Sequence, residues 1–314
     1  MFGGFDVMEV IYSDKFKNFT GPSVALAIGS FDGIHLGHQK IIEKTCQVAR
    51  KEKLASGLLS FSPHPRQVLA PEQVKGVIIS QEQKVEILQD LNINYYFCQK
   101  FTPEFARQNF ADFVQNILTN KLNASHIIVG EDFSFGRGGS GDIRDLKRLG
   151  DRFDFSVTIL SPVKNGGKKI SSTRIRELIS AGKVEKVHNL LGRFYEIRGN
   201  VIHGQGRGKK LGIPTANLEL TTDYVLPKNG VYAGFVRHDN RRYAGAANFG
   251  NNPTFASKDY SVEIYILDLE ENLYEQEISF SPVKFIRPEK RFSNQEELVK
   301  RIKEDILYTR KVLC

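Results

Sequence analysis

What most limits the fold of this chain is a change of rhythm part-way along it. Up to about residue 185, short apolar runs alternate with amphipathic stretches. Beyond residue 194, β-rich runs follow one another until a final amphipathic segment. Runs 23–29, 57–61, 94–99, 126–130 and 155–163 read as strands, and 38–53, 81–91, 103–122 and 142–150 as helices. The segment 103–122 is expected to be one long helix with Pro103 in its first turn. Strands separated by helices pair in parallel, so the first half is expected to be a doubly wound α/β sheet. Residues 195–204, 230–238, 242–250, 261–270 and 273–286, with turn signals at 228–230 and 270–272, fit a small antiparallel barrel or sandwich. A helix over 293–313 closes the chain, with Ser293 expected as its N-cap and Glu296 three residues on. At about 150 residues per domain, 314 residues make two domains. These are set at 8–185 and 186–314, with the boundary near 185–193 and Met8 a second candidate start.

Composition excludes several classes. No stretch reaches the ~18 consecutive apolar residues of a membrane span. The first residues lack the basic and apolar segments of a secretory leader. Cys46, Cys98 and Cys314 are scattered and form no C-x-x-C pair, so neither a disulfide framework nor a zinc ribbon is expected, and a cytoplasmic protein is. The net charge of +8 suits nucleic acid, a nucleotide or pyrophosphate, or plain solubility, and does not choose among them.

The first chemical constellation is the turn Gly29-Ser30-Phe31-Asp32-Gly33-Ile34-His35-Leu36-Gly37-His38, between a strand and a helix. That position is the carboxyl end of the first recognised strand, where open α/β sheets bind ligands. The helix that follows points N–H groups and the positive end of its dipole there, which suits phosphate. His35 and His38 are three apart and can face the same side, where two imidazoles can stabilise charge growing on a phosphate. A zinc site would lack a thiolate and a local third ligand other than His64. The tract 136–141 formally matches G-x-G-x-x-G but does not follow a strand directly, so it is read as a loop.

The motif G-x-F-D-G-x-H-x-G-H resembles the signature of nucleotidylyltransferases, which attack the α-phosphate of a nucleoside triphosphate and release pyrophosphate. Ile170-Ser171-Ser172-Thr173-Arg174, about 135 residues downstream, resembles their second signature. The resemblance makes Gly29, Phe31, Asp32 and Gly37, with Ser172, Thr173 and Arg174, the expected nucleotide-binding set, and His35 and His38 the catalytic pair. Phe61-Ser62-Pro63-His64-Pro65 and Gly130-Glu131-Asp132-Phe133-Ser134-Phe135-Gly136 resemble segments of the subgroup that acts on flavins. His64, Asp132 and Phe133 are accordingly expected at the flavin, with Phe133 and Phe135 able to flank a planar ring.

The second constellation is the glycine and lysine tract 204–212 running into Ile213-Pro214-Thr215-Ala216-Asn217. Alternating glycines and cations can wrap phosphates. Thr215 and Asn217 point the same way in extended chain and offer neutral oxygens that suit Mg²⁺ carried by ATP. The tract resembles the riboflavin kinase signature. Segments 227–234, 248–255 and 262–268 resemble its later motifs, with Phe249 for isoleucine and Tyr265 for histidine, as does Phe285-Ile286-Arg287. That resemblance assigns Gly204, Gly206 and Lys209 to the nucleotide, Thr215 and Asn217 to the metal and Arg287 to the flavin. Glu263 becomes the general base, helped if partial burial raises its pKa.

Over almost its whole length the chain resembles the bifunctional bacterial riboflavin kinase/FMN adenylyltransferases. The resemblance implies a Rossmann-like adenylyltransferase domain followed by a β-barrel kinase domain. Riboflavin, FMN, FAD and ATP are the expected partners, with Mg²⁺ as cofactor and neither nucleic acid nor membrane. A monofunctional nucleotidylyltransferase acting on another phosphate acceptor is the alternative, and a non-catalytic basic binding module a more distant one.

Overall fold

The computed structural model describes residues 8–73, 76–204, 212–250, 260–290 and 292–314. Packing divides the chain into two compact units, residues 1–74 with 80–171, and 75–79 with 172–314. The division thus falls ahead of the expected 185–193. Helices α7 (Ser172–Ser180) and α8 (Val184–Leu191) pack on each other, and α8 packs on a strand of the second unit.

The first unit is built on strands β1 (Glu9–Tyr12), β2 (Val24–Ile28), β3 (Ala55–Ser62), β4 (Tyr95–Lys100), β5 (Ala124–Gly130) and β6 (Ser156–Leu160). They form a parallel sheet in the order β1-β4-β3-β2-β5-β6. β1 had no counterpart among the expected strands. The chain runs outward from β2 through β3 to β4, then returns to place β5 on the other side of β2. The C-terminal ends of β2 and β5 therefore flank the point where strand order reverses, the usual ligand crevice of such sheets.

β2 shows why the layers form. Val24, Leu26 and Ile28 join a core with Phe97, Val114, Leu118 and Ile127, while Ala25 faces the opposite layer with Val48 and Ala49. The small alanine lets helix α1 (Leu36–Glu52) lie close to the sheet. The single helix expected over 103–122 is broken. α4 (Pro103–Ala106) starts at the Thr102 cap and α5 (Phe110–Phe113) at the Asn109 cap, followed by a π-helical stretch, Val114–Thr119. Asn109 accepts from the Ala111 amide, and this competes with continuation of the preceding helix. The remaining helices of this unit are α2 (Pro65–Leu69), α3 (Gln81–Asp90) and α6 (Ile143–Phe153). A two-stranded hairpin, β7 (Lys164–Asn165) and β8 (Lys168–Lys169), leads to Ile170.

The second unit is a closed antiparallel barrel. Its strands are β9 (Ile197–Ile202), β10 (Ala216–Leu220), β11 (Gly230–His238), β12 (Arg241–Gly250), β13 (Ser261–Ile266) and β14 (Glu277–Arg287), in the order β10-β13-β12-β11-β14-β9. Of the two expected all-β architectures, the barrel is the one formed. On β13, Val262, Ile264 and Ile266 are buried while Ser261, Glu263 and Tyr265 stay half-exposed. Helix α9 (Gln295–Leu313) packs on β11 and β12. Its N-cap is Asn294 rather than the expected Ser293: Asn294 accepts from the Glu297 amide at 2.8 Å, whereas the Ser293 amide donates to the Glu297 carboxylate.

Candidate functional site

The turn after β2 brings Gly29, Phe31, Asp32, His35, Gly37 and His38 together. Phe31 and Ile34 have positive φ, 47° and 35°, on either side of Gly33. Left-handed backbone at a phenylalanine and a β-branched residue costs on the order of 1–3 kcal/mol each and is found chiefly where function requires it. The distortion turns the chain so that His35 becomes the N-cap of α1. Its Nδ1 accepts from the His38 amide at 3.2 Å. When the His35 ring is neutral, its proton therefore sits on Nε2.

The two imidazoles stack, with centroids 3.6 Å apart and planes 14° from parallel. Phe31 meets His38 edge-on at 5.1 Å. Gly37 suits this position, because a Cβ would come 3.1 Å from the His35 ring and press on it. Burial holds the His38 imidazole well below its usual pKa, reinforced by the positive charges of His35, Lys84 and Lys169. Its Nδ1 is buried and has no hydrogen-bond partner. An unmet buried polar atom costs about 1–3 kcal/mol, so a ligand atom is the natural partner.

The other residues expected in the first unit are more mixed. His64 caps α2: its Nδ1 accepts from the Arg66 amide, while Gln67 accepts from the His64 amide. Asp132, at the end of β5, is paired with Lys169 at 2.5 Å. Phe133 and Phe135 stack on each other, 5.3 Å and 16° apart, and Phe135 belongs to the core. The pair therefore does not flank a ring as expected, because there is no room between them. Only Phe133 keeps an accessible face. The tract 136–141 is a tight turn closed by the bridge between Phe135 and Gly141. Ser172, Thr173 and Arg174 open α7, directly after the first unit ends.

Sequence reasoning missed Lys84. It lies on α3, 6% exposed, and donates to the Ser30 carbonyl and to Ser60 Oγ, both at 3.1 Å. Burial lowers its pKa, opposed by Asp32 and Cys98. The available signal was a lysine in helical register with Leu88 and Leu91 on an apolar face.

In the barrel, register assembles the second site. Asn217 on β10 pairs with Glu263 on β13, and Glu263 pairs with Asn248 on β12. Asn248 pairs with Val231, and Val231 with Arg287. Directly opposed residues share a face with Cβ atoms about 5 Å apart, so Asn217, Glu263, Asn248 and Arg287 fall on one band. Glu263 stands between two carboxamides and is half-buried. A Cβ on Gly204 would collide with the Asn217 carboxamide, so the backbone at Gly204 presses Asn217 into place. Thr215 and Asn217 supply neutral oxygens, a hard donor set that fits Mg²⁺ only with further oxygens from a substrate. Among the described residues no cluster of three or more His, Cys, Asp or Glu could hold a metal ion. Arg287 grips Asp305 of α9 with two nitrogens, at 2.9 and 2.7 Å, and donates to the Pro288 carbonyl. Each of its three nitrogens is thus engaged, and its planar face lies 5.7 Å from the Phe292 ring. Gly206 and Lys209 lie outside the described residues. Asn248 opens the segment 248–255 read from the sequence, and Glu289, which accepts from Asn229 and Asn248, is a neighbour of this band that the sequence reading did not single out.

Comparison with known proteins covers both units. The family model described as FAD synthetase matches residues 19–174, and that described as riboflavin kinase matches 191–313. The Listeria monocytogenes protein named bifunctional riboflavin kinase/FMN adenylyltransferase is 37% identical over 295 residues, covering 93% of each chain. The protein of the same name from Escherichia coli strain K12 is 32% identical over 286 residues, covering 91% of each. A crystal structure from Streptococcus pneumoniae described as a macrolide-efflux protein matches with a TM-score of 0.87 at 31% identity, over 96% of this chain and 98% of that one. Among the described residues here, no helix is long and apolar enough to cross a membrane.

Proposed function

The chain belongs to the bifunctional riboflavin kinase/FMN adenylyltransferase family, and from that premise we propose that residues 186–314 carry the kinase site and residues 8–185 the adenylyltransferase site. It phosphorylates riboflavin with ATP to FMN, and joins FMN to a second ATP to give FAD and pyrophosphate. The monofunctional alternative is not favoured, because the riboflavin kinase match spans the second half. The observation that carries the division of labour is that the two donor sets, the His35–His38 stack and the Asn217–Glu263–Asn248 band, belong to different compact units.

In the kinase reaction Glu263 takes the proton from the 5′-hydroxyl of riboflavin as that oxygen attacks the γ-phosphorus and ADP departs. Asn217 and Asn248 on either side orient the carboxylate. Thr215 and Asn217 would hold Mg²⁺, which when bound neutralises phosphate charge. Gly204, Gly206 and Lys209 would grip the phosphates, and most of the acceleration is positioning and charge stabilisation. Arg287 anchors the band to α9 and presents its face to the flavin.

In adenylyl transfer the FMN phosphate attacks the α-phosphorus and pyrophosphate departs. The attacking group is already anionic, so no strong base is needed. His35, through Nε2–H, and His38 donate to the α-phosphate oxygens as charge builds. The first turn of α1, with Gly29, Phe31, Asp32 and Gly37, shapes the nucleotide cradle. Ser172, Thr173 and Arg174 bind the departing pyrophosphate, and the outer sides of His64, Asp132 and Phe133 receive the flavin. Unpaired Cys46, Cys98 and Cys314 support a cytoplasmic setting.

The test is incubation of the purified chain with riboflavin, ATP and Mg²⁺, with riboflavin, FMN and FAD separated by chromatography. FAD arising through FMN is the expected result. FMN alone would remove the adenylyltransferase assignment, and neither product from folded protein would remove both.

A further inference from the structure

Lys84 sits where stability alone would not put a lysine. It is buried, near the N-terminal end of α3, where the helix dipole already disfavours a cation. Burying an ammonium against neutral oxygens is costly. Ser80 and Gln83 form a complete capping box, so the helix start is satisfied without Lys84. Its acceptors instead lie 54 and 24 residues away, at the top of β2 and on β3. Ser60 Oγ also donates to the Ser30 carbonyl at 3.0 Å, so Lys84, Ser60 and Ser30 form a closed triangle. Ser30 is the residue before the strained turn in which Phe31 and Ile34 hold positive φ. That turn delivers His35 and His38 to the start of α1.

We propose that Lys84 is a positioning residue for adenylyl transfer: through the Ser30 carbonyl and Ser60 hydroxyl it clamps the strained turn and keeps the two histidines in their reacting arrangement. This rests on the adenylyltransferase reading above. The charged and titratable groups acting on His38 are His35 on α1, Lys84 on α3 and Lys169 on β8, while Asp32 in the turn acts on Lys84. Lys84 therefore has a second signature that a mere packing residue lacks, because its charge bears on His38.

The experiment compares the wild-type full chain with Lys84→Met and Ser60→Ala, measuring riboflavin phosphorylation and FMN adenylylation separately across pH. A 1 Å misplacement costs roughly 100-fold. Lys84→Met is expected to lose about that factor in kcat for FAD formation, with riboflavin phosphorylation intact. The acid limb of its FAD pH profile should move to higher pH, because a positive neighbour of His38 is gone. Ser60→Ala keeps the charge and breaks two sides of the triangle, leaving only the Lys84 bond to the Ser30 carbonyl, so kcat should fall with the limb in place. If Lys84→Met lost both activities through misfolding, Ser60→Ala alone would decide, and wild-type FAD formation by it would overturn the proposal. A folded Lys84→Met enzyme with wild-type kcat and an unmoved acid limb would overturn it as well. Wild-type protein that made FMN but no FAD would instead overturn the adenylyltransferase reading.

Discussion

The imidazole of His38 lies flat against that of His35, 3.6 Å away, while the His38 amide donates to His35 Nδ1. One residue pair thus joins a helix cap to an imidazole stack. His35→Ala removes the cap and a donor together. It is expected to lower FMN adenylylation by at least the 10²–10³-fold typical of one lost transition-state donor, roughly. Riboflavin phosphorylation should be untouched, and separate assays of the two steps check this.

Stability should depend on pH through His38. Its folded pKa lies below the ordinary value of about 6.5. Below that pH the unfolded chain takes up a proton that the folded chain refuses. The contribution is therefore intact above about pH 6.5 and is lost as pH falls from there toward the lowered value. Urea midpoints between pH 5 and 8 should show this slope in the wild type and a shallower one in His38→Gln. Equal slopes would mean that His38 is not held neutral.

Glu263→Gln keeps the shape of the band but cannot accept a proton. FMN formation should fall below detection while conversion of supplied FMN to FAD continues. Loss of both steps in a folded variant would contradict one reaction per unit.

Gly204→Ala drives a methyl group into the Asn217 carboxamide. If Asn217 is a metal ligand, the Mg²⁺ concentration for half-maximal kinase rate should rise, with thermal stability nearly unchanged. An unaltered Mg²⁺ dependence would detach Asn217 from the metal.

Arg287 and Asp305 form a largely buried pair, with side chains 14% and 4% exposed. Arg287→Met leaves the buried Asp305 charge with only the longer Arg301 contact, 3.5 Å away, and should cost up to about 3–5 kcal/mol of stability. Adding Asp305→Leu should recover much of that in denaturant titration. If the single change cost nothing, the pair would not be what ties α9 to the barrel.

Much of this was legible in the sequence because the chemistry is packed into short contiguous motifs. The turn 29–38 could be read as strand, cradle and helix start from its own ten residues. The alternation of β13 already put Glu263 on the side opposite Val262 and Ile264. What could not be read depends on distant partners or on local competition. Lys84 gains its meaning from Ser30 and Ser60, and Arg287 from Asp305. The break in 103–122 turns on whether Asn109 bonds its own backbone or continues a helix, and both options suit the same apolar spacing. Phe133 and Phe135 were readable as aromatics, but not as partners of each other.

The barrel closes on itself, β9 against β10. A sheet with free edges could absorb a one-residue deletion by letting an outer strand slide. A ring cannot, because every strand is held from both sides. Deleting one residue inside β10, β12 or β13 would turn that strand's side chains to the opposite wall and carry Asn217, Asn248 or Glu263 away from its neighbours. The spacing of three polar side chains is thus inherited from the whole circle of strands, and length changes that spare the kinase should be confined to the connections between them.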